Sequence, residues 1–224
     1  MSEITASVLI PALNEETIIV ETIRAAGRIP GVTQIIVVDD GSTDQTAAQA
    51  EQGGAVVIKA EKNRGKGGAL NLGLPEVTGE YLLLLDADLG ATAFEGKKLL
   101  EAVSKGKADL IIGRFPARKR KSGIGFVLSF ARRIVKQLTG LTLTAPLSGQ
   151  RALNRKALQA LGGKFAEGFG VEVAMIIDLA RKGLVIKEIP VAMAHRQTTK
   201  NLSGFIHRGR QFLDVCTVVI KRLF

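Results

Sequence analysis

The sequence predicts an α/β fold in which a mostly parallel sheet carries helices on both faces, and three features support this. Short, unbroken apolar runs recur through the first half of the 224-residue chain, as in QIIVV and YLLLL. Such runs suit strands buried on both faces. Stretches with helical spacing of apolar residues separate them, and this alternation requires crossovers between parallel neighbours. Several runs stop abruptly at acids or amides, which brings polar groups to the strand ends.

Residues 6–11 (ASVLIP) read as the first strand, followed by a helix from Glu15 to about Arg28. QIIVVDD (34–40) is the second strand. The following helix has Ser42 or Thr43 as its expected N-cap, alanines inside and Gly53 to stop it. GAVVIKA (54–60) is the third strand, and a helix opens within GKGGALNLGLP after a glycine-rich turn. EYLLLLDAD is the fourth strand, residues 94–104 are helical, and ADLIIGR (108–114) is the fifth strand. Beyond residue 114 the alternation fades, and the second half is expected to wrap around the sheet. IPVAMAHRQT ends the last apolar strand. Residues 1–200 read as one domain, and 201–224 as a basic, amphipathic C-terminal helix.

The chain is 46% hydrophobic, which argues against disorder. It has no Trp and few aromatics, so aliphatic side chains must fill the core. A lone Cys216 excludes an internal disulfide framework and a cysteine-based zinc site, and it fits a reducing compartment. The N-terminus lacks a signal-peptide pattern, and no stretch approaches the ~20 apolar residues of a spanning helix. A cytoplasmic location, peripheral at the inner membrane face, is expected. The net charge of +10 is unevenly distributed: residues 1–60 hold eight acids and three bases, whereas 110–166 hold twelve bases and no acid. That field favours an anionic partner. Nucleic acid is disfavoured, because the chain lacks interleaved aromatics and any recognisable reading motif.

In an open parallel sheet, ligands bind beyond the carboxyl ends of the strands. Asn14 and Glu15 follow the first strand, Asp39 and Asp40 the second, and Asp86 and Asp88 the fourth. Two carboxylates at i and i+2 repel one another, so one takes up a proton or a hard divalent cation sits between them and a substrate oxygen. Taken alone, the pair reads more readily as solvated loop acids, and it is the companion motifs that favour a cation. Likewise DGSTD (40–44) can be a turn and helix cap, and Lys66 a solvated lysine. GKGG is not a P-loop, since its spacing departs from that motif.

IPALNEE, VVDDGSTDQT, NRGKGGALNLG and LLLDADLG occur in order, each at a strand-to-helix junction. With these motifs the sequence resembles family 2 glycosyltransferases of the GT-A fold over most of residues 6–190, most densely in the first 90. IIGRF (111–115), the basic helix after it, LSGQRALNRKAL (147–158) and EGFGVE (167–172) are similar to dolichyl- or polyprenyl-phosphate sugar synthases. The resemblance implies a nucleotide-sugar donor, UDP before GDP, and Mg²⁺ or Mn²⁺. It implies that Pro11, Ala12, Asn14, Glu15 and Ala87 line the nucleotide pocket and that Asp40 reads the base. Lys66 would lie near the nucleoside and phosphates. Asp86 would reach the ribose or the metal, and Asp88 would be the main metal ligand. Ser148, Arg151 and Arg114 would position donor and acceptor phosphates, with Arg151 catalytic. In relatives with a hydroxyl acceptor an acid near Glu172 is the general base. Some place a histidine at His195 as a further metal ligand, which keeps glucosyl-3-phosphoglycerate synthase-like enzymes open as an alternative.

RKRKSGIGFVLSFARRIVKQLTG (118–140) and GFIHRGRQFLDVCTVVIKRLF (204–224) are basic and amphipathic. They fit either an anionic membrane interface or packing on the sheet or on a second subunit. The expected acceptor is a polyprenyl phosphate, with a small phosphorylated molecule as the alternative.

Overall fold

The computed structural model describes residues 4–116 and 124–195, together with Thr217, Val219 and Arg222. Seven strands form one sheet: β1 (Ala6–Ala12), β2 (Val32–Asp39), β3 (Val56–Lys59), β4 (Tyr81–Leu84), β5 (Leu110–Arg114), β6 (Arg151–Leu153) and β7 (Ile186–Pro190). Among the described residues it is covered by helices α1 (Ile19–Gly27), α2 (Thr46–Gln52), α3 (Gly65–Gly73), α4 (Gly96–Ser104), α5 (Ile124–Thr139), α6 (Arg155–Ala160) and α7 (Val171–Arg181). The strand order is β3-β2-β1-β4-β6-β5-β7, and β6 alone runs antiparallel to its neighbours.

Strand periodicity divides the core into two layers. Val8, Ile10, Val37, Leu83 and Leu85 face α1 and α4 on one side. Leu9, Ile36, Val38, Leu82 and Leu84 face α3, α5 and α7 on the other. Burial on both faces is why these strands read as unbroken apolar runs.

Several elements begin or end elsewhere than expected. α1 starts at Ile19 rather than Glu15, because the loop before it is laced to the loop after β2. The Asn14 amide donates to Ser42 Oγ (2.9 Å), the Glu15 amide to Thr46 Oγ1 (2.7 Å), and the Thr43 amide to Asn14 Oδ1 (2.9 Å). Ser42 and Thr43 therefore do not cap α2. That helix begins at Thr46, whose amide donates to Asp44 Oδ1 at 3.0 Å. β4 ends at Leu84, so both acids of DAD lie in the loop beyond it.

β6 is too short for periodicity to reveal, yet it matters for the site. Because it runs against β4 and β5, its leading residues, Ser148 to Gln150, arrive at the edge where the parallel strands end.

The apolar stripe of α5 is largely committed to the core. Leu128, Ala131 and Val135 are buried, and Phe130, Ile134 and Leu138 pack beside them. Of the two arrangements open to this stripe, its central residues take the packing against protein. Phe126, at 70% exposure, and the exposed Arg133 and Lys136 remain on the outer side. Among the described residues no helix is long and apolar enough to cross a membrane. Residues 118–123 of the basic stretch and most of the expected 201–224 helix lie outside the described residues. Within the latter, Val219 joins the core and Arg222 makes a bidentate pair with Asp178 of α7, at 2.6 and 2.5 Å.

Candidate active site

Three loops meet at the carboxyl edge of the sheet. The first follows β1. Pro11 and Ala12 close that strand beside Val38 and Asp39 of β2. Asn14 adopts the left-handed conformation (φ 56°), which an Asn tolerates better than most residues. It serves as the node of the lacing to Ser42 and Thr43.

The second loop follows β2. Asp40 is buried, and each of its oxygens accepts a backbone amide at 2.8 Å, from Arg64 and Gly65. Burial raises its pKa, with those two amides working against the shift. Asp40, expected to read a base, fixes the start of α3, with one backbone amide on each carboxylate oxygen. The consequence is felt one residue further on, because this anchor sets Lys66 over the third loop.

Lys66 joins two acids. Its Nζ lies 2.6 Å from Asp86 Oδ1 and 3.0 Å from Glu172 Oε1. Burial works against the ammonium, but the two carboxylates outweigh it and hold its pKa well above the usual lysine range. Burial likewise opposes the Asp86 carboxylate, yet Lys66 and His195 draw its pKa below the ordinary value. α3 approaches closely enough to do this because Gly67 has no side chain: a Cβ there would lie 2.1 Å from the Ala166 carbonyl oxygen.

Asp88 meets His195 across the cleft. His195 Nδ1 lies 2.8 Å from Asp88 Oδ1, and its Nε2 lies 4.0 Å from Asp86 Oδ2. Ligand atoms of Asp86, Asp88 and His195 all lie within 4.8 Å of one another. Two carboxylates and an imidazole form a donor set of hard oxygens and a borderline nitrogen, which fits Mg²⁺ or Mn²⁺.

The histidine is held from several sides. Phe115 stacks on its ring with centroids 4.8 Å apart. Thr92, in the turn after DAD, accepts the Ala194 amide at Oγ1 (3.2 Å), and Glu95 accepts the Ala192 amide (2.8 Å). Thr22 of α1 fixes the DAD loop, donating to the Ala87 carbonyl (2.7 Å) and accepting the Gly90 amide (2.9 Å).

Burial would lower the pKa of His195, but the hydrogen bond its ring donates to Asp88 and the two nearby negative charges raise it overall. Below that raised pKa the ring carries a proton, and a metal bound through the ring must displace it. Mn²⁺ affinity should therefore fall about tenfold per pH unit below the histidine pKa, which lies above 6.5, and level off above it. In His195→Ala this slope should vanish. Calorimetric titrations between pH 5.5 and 8.5 measure it, and an identical slope in the variant would remove His195 from the metal site.

Arg151 departs from expectation. It is 1% exposed and spends its guanidinium on three carbonyls: Ser148 (2.9 Å), Glu172 (2.9 Å) and Pro146 (2.8 Å). Burial draws its pKa down to about 10, with Glu172, Asp86 and Glu188 opposing the shift. It braces the Ser148 turn and the start of α7 instead of presenting a fork to phosphate. Arg151→Met should leave buried carbonyls unsatisfied and cost roughly 3 kcal/mol, about 6–12 °C in Tm. An unchanged Tm with weakened donor binding would restore the phosphate role.

Ser148 accepts the Gln150 amide at Oγ (3.4 Å), and Arg114 closes β5 with its side chain exposed. Sequence reasoning missed Phe115, Thr92, Thr22, Gly149 and Gln150 as site residues. Phe115 stands in the quoted IIGRF, and Gly149 and Gln150 stand in the quoted LSGQRAL, but nothing local marks their partners.

The sheet order and the Asp86, Asp88 and His195 cluster at its carboxyl edge fit the class of GT-A glycosyltransferases. Residues 7–162 match the family described as Glycosyl transferase family 2, and the chain belongs to that family. It is 29% identical over 215 residues to Glycosyltransferase AglJ of Haloferax volcanii, covering 93% of this chain and 70% of that one. It is 30% identical over 226 residues to Dolichyl-phosphate beta-glucosyltransferase of Saccharomyces cerevisiae, covering 85% and 67%. Among solved structures it is similar to glucosyl-3-phosphoglycerate synthase from Mycobacterium tuberculosis in complex with Mn²⁺, UDP and phosphoglyceric acid. The TM-score is 0.80 at 30% identity, covering 98% of this chain and 78% of that one. Another structure of that synthase holds Mg²⁺ and UDP.

Proposed function

We propose that this glycosyltransferase moves a hexosyl group from a UDP-sugar to a small phosphorylated acceptor, using Mg²⁺ or Mn²⁺ held by Asp86, Asp88 and His195. The observation that carries the reading is the convergence of those three side chains within 4.8 Å. The similar mycobacterial synthase, whose complex contains Mn²⁺, UDP and phosphoglyceric acid, supports both donor and acceptor class.

The roles follow from chemistry. Cleaving a sugar–diphosphate bond leaves extra negative charge on the departing nucleoside diphosphate, and a bound divalent ion supplies a Lewis acid for that charge. Lys66 adds a fixed ammonium beside the same cleft. Glu172, 3.0 Å from Lys66, is the acid available to take a proton from an acceptor hydroxyl. Asn14, Glu15 and Ala87 border the donor cleft. Arg114, which ends β5, and Ser148, just before β6, are assigned to acceptor phosphate.

A second reading, a polyprenyl-phosphate acceptor at an anionic membrane surface, is favoured by the outer face of α5 with Phe126, Arg133 and Lys136. Similarity to the yeast dolichyl-phosphate enzyme points the same way. Release of UDP from UDP-glucose should require Mn²⁺ and 3-phosphoglycerate, and chelator should abolish it. Turnover only with polyprenyl phosphate in vesicles would transfer the assignment to the second reading. Turnover with neither acceptor would reject both.

A further inference from the structure

We propose that Gln150 is a positioning residue for Asp86 and that it sets the affinity of the cleft for a divalent cation. This rests on the reading of Asp86, Asp88 and His195 as the cation site. Gln150 is fully buried, and both ends of its side-chain amide are spent on one residue. Nε2 donates to Asp86 Oδ2, and Oε1 accepts the Asp86 backbone amide at 3.0 Å. Lys66 takes the other carboxylate oxygen. Asp86 lies beyond the last ladder residue of β4, so neighbouring strands do not restrain it. The amide clamp fixes its backbone and its carboxylate together. A carboxylate oxygen offers more than one lone-pair site, so the clamp leaves room for a cation.

Gln150 is itself anchored to the sheet. Its carbonyl accepts the Gly113 amide of β5 at 2.8 Å. The reversed direction of β6 brings it to the edge where β4 ends. Gly149 allows the approach: a Cβ there would lie 2.3 Å from Lys66 Nζ and 2.6 Å from Asp86 Oδ1. Gln150 thus ties the rigid β5–β6 pair to the acid that faces the cleft. Residues that orient metal ligands in this way typically change affinity 10–100-fold.

The test uses Gln150→Met, which keeps length and volume and removes both hydrogen bonds. Free Mn²⁺ is measured by electron paramagnetic resonance in the presence of UDP, for wild type, Gln150→Met and Asp88→Ala, with thermal unfolding of each. The expected result is wild-type binding, none in Asp88→Ala, and affinity weakened about 10–100-fold in a folded Gln150→Met. A folded Gln150→Met within twofold of wild type would overturn the proposal while leaving the cation site intact. Equal binding by wild type and Asp88→Ala would instead reject the cation site, and the proposal with it. If Gln150→Met does not fold, the side-chain amide signal of Gln150 in wild type is followed by NMR as Mg²⁺ and UDP are added. A shift in that signal supports the clamp, and an unmoved signal overturns it.

Discussion

Asp88→Ala should reduce transfer by about three orders of magnitude, equivalent to roughly 4 kcal/mol of transition-state stabilisation. The substitution removes one of two carboxylates from a three-ligand cluster and the 2.8 Å partner of His195 Nδ1. One acid and an unrestrained imidazole make a poor site for a hard cation, and the charge developing on the leaving diphosphate loses its main counterweight. The apo fold should hardly notice, because the Asp88–His195 contact is partly exposed and such pairs contribute at most about 1 kcal/mol. The two effects therefore separate cleanly. Wild-type protein should gain about 2.7 kcal/mol of stability at a Mn²⁺–UDP concentration 100-fold above the dissociation constant. Asp88→Ala should gain none while retaining the apo melting temperature. Activity within tenfold of wild type, or an undiminished metal-induced shift, would show that the cation is held elsewhere.

What the sequence disclosed and what it hid divide along physical lines. Leu82 to Leu85 announced a buried strand, and the abrupt change at Asp86 announced its end, because both signals are local. The edge of the sheet where chemistry gathers followed from strand direction alone. Side-chain direction did not follow. Asp40 and Arg151 stand where family motifs put them, yet one turns onto the amides of Arg64 and Gly65 and the other onto three buried carbonyls. A motif reports a place in the chain and is silent about which hydrogen-bonding groups are nearest in space. Gln150 and Thr92 were invisible for a related reason. Their partners lie 64 and 102 residues away in the chain, and neither residue type advertises the contact. β6 escaped because three residues cannot display a period, and the antiparallel exception it makes is a property of the assembled sheet. The stripe on α5 showed the converse. Its amphipathicity was plain, but Ala131 and Val135 at zero exposure reveal that protein takes up the apolar side.

Lys66→Met should damage the fold about as much as Arg151→Met, but its damage should depend on metal. Lys66 is the cation shared by Asp86 and Glu172, at 2.6 and 3.0 Å. Methionine preserves the packing of the stem but leaves two largely buried carboxylates facing each other with no positive charge between them. Breaking a buried pair from one side costs about 3–5 kcal/mol, and the lower figure applies because Asp86 and Lys66 each keep about a fifth of their side chains exposed. For a chain of this size that corresponds to roughly 6–12 °C in Tm. A divalent ion bound at Asp86 would replace part of the missing charge, so saturating Mn²⁺ should recover a larger share of stability in the variant than it adds to wild type. Lowering the pH should also narrow the gap. The lysine helps to hold the Asp86 pKa below 3.8, so wild type loses that contribution as pH falls through the depressed value, whereas the uncompensated Asp86 of the variant takes up a proton earlier. Paired thermal melts at pH 7.5 and 4.5, with and without Mn²⁺, measure both effects. An equal Tm deficit under all four conditions would mean that Lys66 acts through packing alone and that its charge is not coupled to the cation cleft.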